Sequence, residues 1–255
     1  MPLVEIIVGQ KTSPDTLARA FDFVRQIDKT PIVVQDARGF YTSRVFSTYV
    51  LEGAQLVLEG QHPRSIEVAG LVAGMPVGPL ALLDEVNLTL IARVQEQARK
   101  DAEQAGAELP AQPGAPVIGR MLELKRPGKK EKQGFYDYPE GQPKRLWPEL
   151  GQHFARAAQP LAQDQMVERL LFVQANETAR CFAEGVVRSV ADANIGSILG
   201  WGFAPFHGGT LQFINAYGLA RFVARSRELA ERYGARFQPA AILVDMAAKG
   251  ETFDA

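Results

Sequence analysis

Arg44-Val45-Phe46-Ser47-Thr48-Tyr49-Val50-Leu51-Glu52-Gly53-Ala54-Gln55-Leu56-Val57-Leu58-Glu59-Gly60 decides how this chain is read. Phe46, Tyr49, Val50, Gly53 and Val57 fall at helical spacing, and Gly60 is the residue type that ends a helix. The pattern returns downstream. Arg44, Glu52, Ala54, Glu59 and Gly60 recur as Arg169, Glu177, Ala179, Glu184 and Gly185, all at an offset of 125 (169 − 44 and 185 − 60). Further on, Gly78-Pro79 is answered by Ala204-Pro205. After small insertions, Leu83-Asp84 with Leu88 is answered by Ile214-Asn215 with Leu219. Helical segments rich in Ala, Glu and Arg match easily, but identities this dense at one offset favour a duplication. Two copies are too few for a solenoid, which needs about three. Two related helical domains packed about a pseudo-twofold axis are expected, as the identical patches of a homodimer pack.

Upstream of that helix the pattern is different. Leu3-Val4-Glu5-Ile6-Ile7-Val8 is short, β-branched and stopped by Gly9, as a buried strand is. Ser13-Pro14 is an N-cap followed by Pro at the first helical position. The helix it opens runs to about Ile27, with Leu17, Phe21 and Val24 on one face. Pro31 to Val34 is a second strand, so residues 1–36 form a strand–helix–strand unit with a parallel crossover. Two strands cannot make an independent sheet. They either pair outside this chain or belong to a piece of a larger protein, and the second reading weighs more. On that reading the strands at 3–8 and 31–35 should be mispaired, mobile, or paired with another copy.

Downstream, Pro63 to Ala73 is a short helix, and Gly74-Met75-Pro76-Val77-Gly78-Pro79 is a rigid turn. Leu80 to about Gln104 reads as one long helix. Residues 105–150 are the loosest region, where Pro110, Pro113 and Pro116 break any helix. Helices follow at about 160–185, 188–199, 207–232 and 238–248. The expected domains are therefore 1–36, 37–145 and 146–255, in a mainly α fold.

Of 255 residues, 46% are hydrophobic and 22% charged, which is enough apolar material for a core and excludes whole-chain disorder. The net charge of -1 argues against nucleic acid as a default partner. A single cysteine, Cys181, excludes a disulfide framework and a multi-thiolate metal site. No run of about 18 apolar residues occurs, and nothing basic follows Met1, so neither a membrane span nor a signal peptide is expected. A cytoplasmic setting is the expectation.

Few residues stand out for chemistry. No Gly-x-Gly-x-x-Gly, P-loop or Gly-x-Ser-x-Gly motif occurs, so no cofactor-binding residues are assigned. Gly200-Trp201-Gly202-Phe203-Ala204-Pro205 lacks the third glycine and follows a helix. His62, His153 and His207 are not spaced for a metal, and none is assigned. Cys181 is read as buried and inert. Glu5 interrupts an apolar strand, where an ionised carboxylate is costly unless paired; the plainer reading is a strand-end residue facing solvent. Lys125 to Lys132 is a basic loop, either a solvated linker or an anion contact. Phe135, Tyr136 and Tyr138 could pin it.

Four segments in order resemble the 3-hydroxyacyl-CoA dehydrogenases. Met1-Pro2-Leu3-Val4-Glu5-Ile6-Ile7 resembles a strand near the end of that family's NAD-binding domain. Asp36-Ala37-Arg38-Gly39-Phe40-Tyr41-Thr42-Ser43-Arg44 resembles the entry to its helical domain. The 74–79 turn with Leu82-Leu83-Asp84, and then Gly134-Phe135-Tyr136-Asp137-Tyr138, continue the match. Gly202-Phe203-Ala204-Pro205-Phe206-His207-Gly208-Gly209 resembles the second helical domain of multifunctional fatty-acid oxidation proteins. The resemblance implies that residues 1–36 are the remnant of a Rossmann-type domain. It implies hydride transfer between NAD and a 3-hydroxyacyl-CoA, with a histidine moving the hydroxyl proton and a glutamate holding that histidine.

The glutamate's role falls on Glu5, and the histidine would lie before Met1. Ser43 stands where the family carries an asparagine near the substrate's reacting oxygen; its plainer reading is a helix N-cap. Met75, Pro76 and Gly78 are candidates for the acyl-pocket wall. The implied partners are the acyl-CoA substrate, the missing NAD-binding domain, a thiolase subunit and a second copy of the chain. NAD would bind the full-length protein and not this fragment, which alone should be inactive. Two rivals stand beside this reading: a non-catalytic helical module that organises a separate dehydrogenase domain, and a monofunctional dehydrogenase with a duplicated tail.

Overall fold

The computed structural model describes residues 2–106 and 112–254; Met1 and Pro110 lie outside them. The N-terminal unit forms as its sequence dictates. Strand β1 (Leu3–Val8) leads through helix α1 (Pro14–Gln26) to strand β2 (Thr30–Gln35). The Ser13 hydroxyl accepts from Thr16 N–H and caps α1. The strands pair in parallel, Leu3 opposite Thr30 through Val8 opposite Gln35.

Helices make up most of the remainder. They are α2 (Thr42–Leu58), α3 (Pro63–Val72), α4 (Pro79–Val86), α5 (Leu88–Gln104) and α6 (Ala115–Glu123). After the short pair β3 (Tyr136–Asp137) and β4 (Arg145–Leu146) come α7 (Leu150–His153) and α8 (Gln163–Ala183). The chain closes with α9 (Val190–Trp201), α10 (Thr210–Tyr217), α11 (Leu219–Tyr233) and α12 (Ala241–Lys249).

Three expectations need correction. The single helix expected over 80–104 is two, because Asn87 takes a positive φ of 77° and its side chain caps α5 through Thr89 N–H. The helix expected over 207–232 breaks at Gly218, where φ is 90°. Pro116 does not break a helix; it sits in the first turn of α6, where its missing N–H costs nothing.

The chain divides into two compact units, Met1–Thr48 with Leu171–Ala255, and Tyr49–Leu170. In the first unit the two-stranded sheet is neither mispaired nor without cover. Both α1 and α9 pack on it. Gly196 and Gly200 let α9 come close: a Cβ on Gly196 would lie 2.9 Å from Ile32, and one on Gly200 would lie 2.8 Å from Thr42. The outer edge of β2 is satisfied at Gln35 N–H by Val186 O (2.8 Å) and at Val33 N–H by Asp192 (3.3 Å). Edge donors that would otherwise invite another strand are thereby used.

Each unit also holds one arginine with two glutamates. In the first unit Arg44 meets Glu177 and Glu184, each at 2.5 Å. In the second, Arg169 meets Glu52 at 2.7 Å through Nε and Glu59 at 2.5 Å. These are the residues the 125-residue offset relates, with partners exchanged. Such reciprocity is what a self-complementary contact requires.

Arg169 is fully buried and Glu52 is 1% exposed, so removing one partner strands a buried charge. Arg169→Met should lower the unfolding free energy by about 3–5 kcal/mol in urea denaturation, with much of the loss restored by adding Glu52→Leu. A loss below about 1 kcal/mol would show that the cluster carries little of the fold's stability.

Candidate functional site

The site residues read from the sequence divide between the units. Glu5 and Ser43 fall in the first; Met75, Pro76 and Gly78 fall in the second.

Glu5 does not face solvent as an idle strand residue. Its Oε1 accepts from the backbone N–H of Tyr41 and of Thr42, both at 3.0 Å. Its Oε2 accepts from the Thr42 hydroxyl at 2.5 Å. The carboxylate of β1 therefore caps the N-terminus of α2, where the first amides lack intrahelical partners and the dipole favours negative charge. A carboxylate offers about four acceptor positions. Oε1 accepts two hydrogen bonds and Oε2 one, so Oε2 retains capacity for one further donor.

The neighbouring Tyr41 fixes this end of α2. It is fully buried, its hydroxyl donates to Ala193 O at 2.7 Å, and its ring meets Trp201 edge-on at 5.4 Å. Thr42 was not singled out in the sequence, because its importance arises only from a strand 37 residues away. Ser43 is exposed in the first turn of α2, and its hydroxyl has no hydrogen-bond partner among the described residues. The N-cap duty proposed for it is performed by Glu5.

In the second unit Met75 is buried and Pro76 exposed. The turn they belong to is anchored on both sides. Tyr49 donates its hydroxyl to Val77 O at 2.9 Å, and Gly78 lies against the Glu67 carboxylate, which a Cβ would meet at 2.6 Å. Glu67 accepts from Leu80 N–H at 2.7 Å and from the Tyr136 hydroxyl at 2.5 Å. Asp84 accepts from Phe135 N–H (2.8 Å), Tyr136 N–H (2.9 Å) and the Tyr138 hydroxyl (2.9 Å). Two buried carboxylates thus hold the Gly134–Tyr138 segment against α3 and α4. Burial raises both pKa values against the pull of those hydrogen bonds, Asp84 from 3.8 to about 6.

Other sequence candidates find simple places. Cys181 is buried, and burial pushes its thiol up to about 12. His62 caps α3 through Arg64 N–H, and His153 stacks on Trp147. His207 sits among Phe203, Phe206 and Phe213, and burial lowers its pKa. In the basic loop Arg126 is buried, donating to Gly134 O and Asp137, and Lys129 pairs with Glu85. Phe135 is fully buried beside it. Among the described residues no group of three metal-ligating side chains converges, and no helix is long and apolar enough to cross a membrane.

Asp84 gives the second unit a pH dependence of stability. Its folded pKa is raised, so the folded state holds a proton that the unfolded state releases between about pH 4 and 6. Stability therefore falls as pH rises through that window, by about 2–3 kcal/mol from this group. In urea titrations wild type should lose that much relative to Asp84→Asn between pH 4 and 6.5; a constant difference would contradict the shift.

Residues 1–37 match the family model for the 3-hydroxyacyl-CoA dehydrogenase NAD-binding domain, and residues 39–138 match that for the family's C-terminal domain. A fatty acid oxidation complex subunit alpha from Shewanella amazonensis is 38% identical over 256 aligned residues, covering 99% of this chain and 35% of that protein. The Shewanella loihica protein of the same name is also 38% identical, with the same coverage. The chain thus spans about a third of the length of these curated relatives. Among solved structures, 3-hydroxybutyryl-CoA dehydrogenase from Escherichia coli aligns with a TM-score of 0.79 at 19% identity, covering 98% of this chain and 68% of its own. The dehydrogenase part of multifunctional enzyme 1 from C. elegans aligns at 0.64 and 21% identity, covering 96% and 56%. These two likenesses show a shared fold.

Proposed function

Because this chain belongs to the 3-hydroxyacyl-CoA dehydrogenase family, we propose that it is the C-terminal part of an NAD-dependent 3-hydroxyacyl-CoA dehydrogenase of fatty-acid β-oxidation. Its length against the Shewanella relatives supports a place in a longer, multifunctional protein. On this reading residues 1–36 finish the NAD-binding domain, and 37–145 and 146–255 are related helical domains. The exchanged arginine–glutamate partners support the duplication.

Glu5 carries the reading. Held at the start of α2 with room left on Oε2, it would receive an imidazole N–H and keep that ring oriented for proton transfer at the substrate's hydroxyl oxygen. The histidine itself is proposed to come from the region that precedes this chain in its relatives. Ser43, with an exposed and uncommitted hydroxyl one residue along α2 from Thr42, would donate to the same oxygen. Met75, Pro76 and Gly78 would form part of the acyl wall.

Residues of this chain do not fit the pyrophosphate of NAD. A lone glycine, Gly9, follows β1, and the first turn of α1 is already occupied by the Ser13 cap and Pro14. NAD contacts belong to the rest of the protein, and this chain alone is proposed to bind none.

The relatives are named as subunits of a complex, which supports a second subunit; a thiolase is the one proposed. A second copy of the chain and a cytoplasmic location are proposed with it.

The test is kinetic. Acetoacetyl-CoA and NADH with this chain alone should give no loss of nicotinamide absorbance. In the longer protein, Glu5→Gln should lower kcat by about 10²- to 10⁴-fold. Ser43→Ala should reduce kcat/KM by about tenfold or more, the worth of one hydrogen bond to developing charge. Full activity in Glu5→Gln would refute the assignment.

A further inference from the structure

A cavity of about 360 Å³ lies within the second unit, between the end of α2, the start of α3 and the 146–161 segment. That is the small end of the range for ligand pockets, which run from about 300 to 1,000 Å³. Its walls are largely apolar, with Trp147, Leu150, Phe154 and Met166 among them. Trp147 is held in place: its ring stacks on His153 at 4.9 Å, and the Arg126 guanidinium lies 4.1 Å from the ring centroid. The rim is fixed at Gly60, whose carbonyl accepts from Ala157 N–H at 3.0 Å and where a Cβ would meet that nitrogen at 2.3 Å.

Arg156 is the one charged side chain on this cavity, beside the uncharged polar side chains of Gln61, His62 and Ser65. Gln61 is 6% exposed, and its Oε1 accepts from Leu161 N–H at 2.8 Å, which fixes the orientation of the amide. Its Nε2 hydrogens have no partner among the described residues. Gln61 lines the cavity, so those hydrogens are available to an acceptor that enters it. His62 accepts at Nδ1 from Arg64 N–H, so the neutral ring carries its proton on Nε2. Arg156 is exposed and has no carboxylate partner among the described residues. Neither Asp nor Glu lines the cavity.

We propose that this cavity is a binding site for a small monocarboxylate, its apolar chain against Trp147 and Phe154 and its carboxylate on Gln61 and Arg156. An apolar body fits the walls, and a carboxylate head matches a lining whose one charged side chain is the Arg156 cation, with no acid to repel it. The site shares no residue with Glu5, Ser43 or the 74–79 turn, so it stands apart from the dehydrogenase reading.

Titration calorimetry of the 255-residue chain with octanoate tests it. Saturable one-to-one binding is expected, with octylamine, which has the same chain and a cationic head, at least about tenfold weaker. Arg156→Gln, at an exposed position, should weaken octanoate about tenfold. Ala155→Trp, which fills the rim, should abolish binding while thermal melts stay unchanged. No saturable octanoate binding, equal binding of octylamine, or wild-type affinity in both variants would overturn the site.

Discussion

A buried arginine must be matched by carboxylates, which this chain does at Arg169, and it repeats the arrangement at the half-buried Arg44. Arg169, fully buried, is neutralised by Glu52 and Glu59; Arg44 is met by Glu177 and Glu184. Each arginine draws one partner from the helix related to its own by the 125-residue offset and the other from the residue just past that helix's end. One such cluster lies in each compact unit. Ion pairs of this kind are weak evidence for stability in themselves, since desolvation offsets attraction. They are strong determinants of register, because a slip of one turn would leave a buried charge without its partner.

Helix α2 supplies contacts within each unit. Its first turn receives Glu5 from β1, and its body carries Tyr49, which supports the 74–79 turn through Val77. Glu67 and Asp84 then hold Gly134–Tyr138 against the helices that follow.

Much of this was legible in the sequence. Periodicity located β1, α1, β2, α2 and α3, and the repeated Arg and Glu positions marked the two segments as related, while the ion pairs between them emerge only from the fold. Where the reading failed, single residues redirected the backbone: Asn87 and Gly218 took positive φ and split helices whose apolar period runs on unbroken. The coverage of β2 was not legible, because Val186 and Asp192 are about 150 residues away and carry no local signal. Glu5 was picked out by its apolar surroundings and by resemblance. Its capping of α2 through Thr42 could not be, since no periodic pattern encodes a contact between a strand and a later helix terminus. Glu67 lies among the apolar residues of α3, and only the fold reveals that Leu80 and Tyr136 require its carboxylate.

The most direct measurement is a crystal structure of the longer protein with acetoacetyl-CoA and NAD bound. The account predicts a histidine nitrogen about 2.6–3.2 Å from Glu5 Oε2, with the Tyr41 and Thr42 contacts to the carboxylate intact. A Glu5 carboxylate with no histidine within reach, or one turned away from α2, would contradict it.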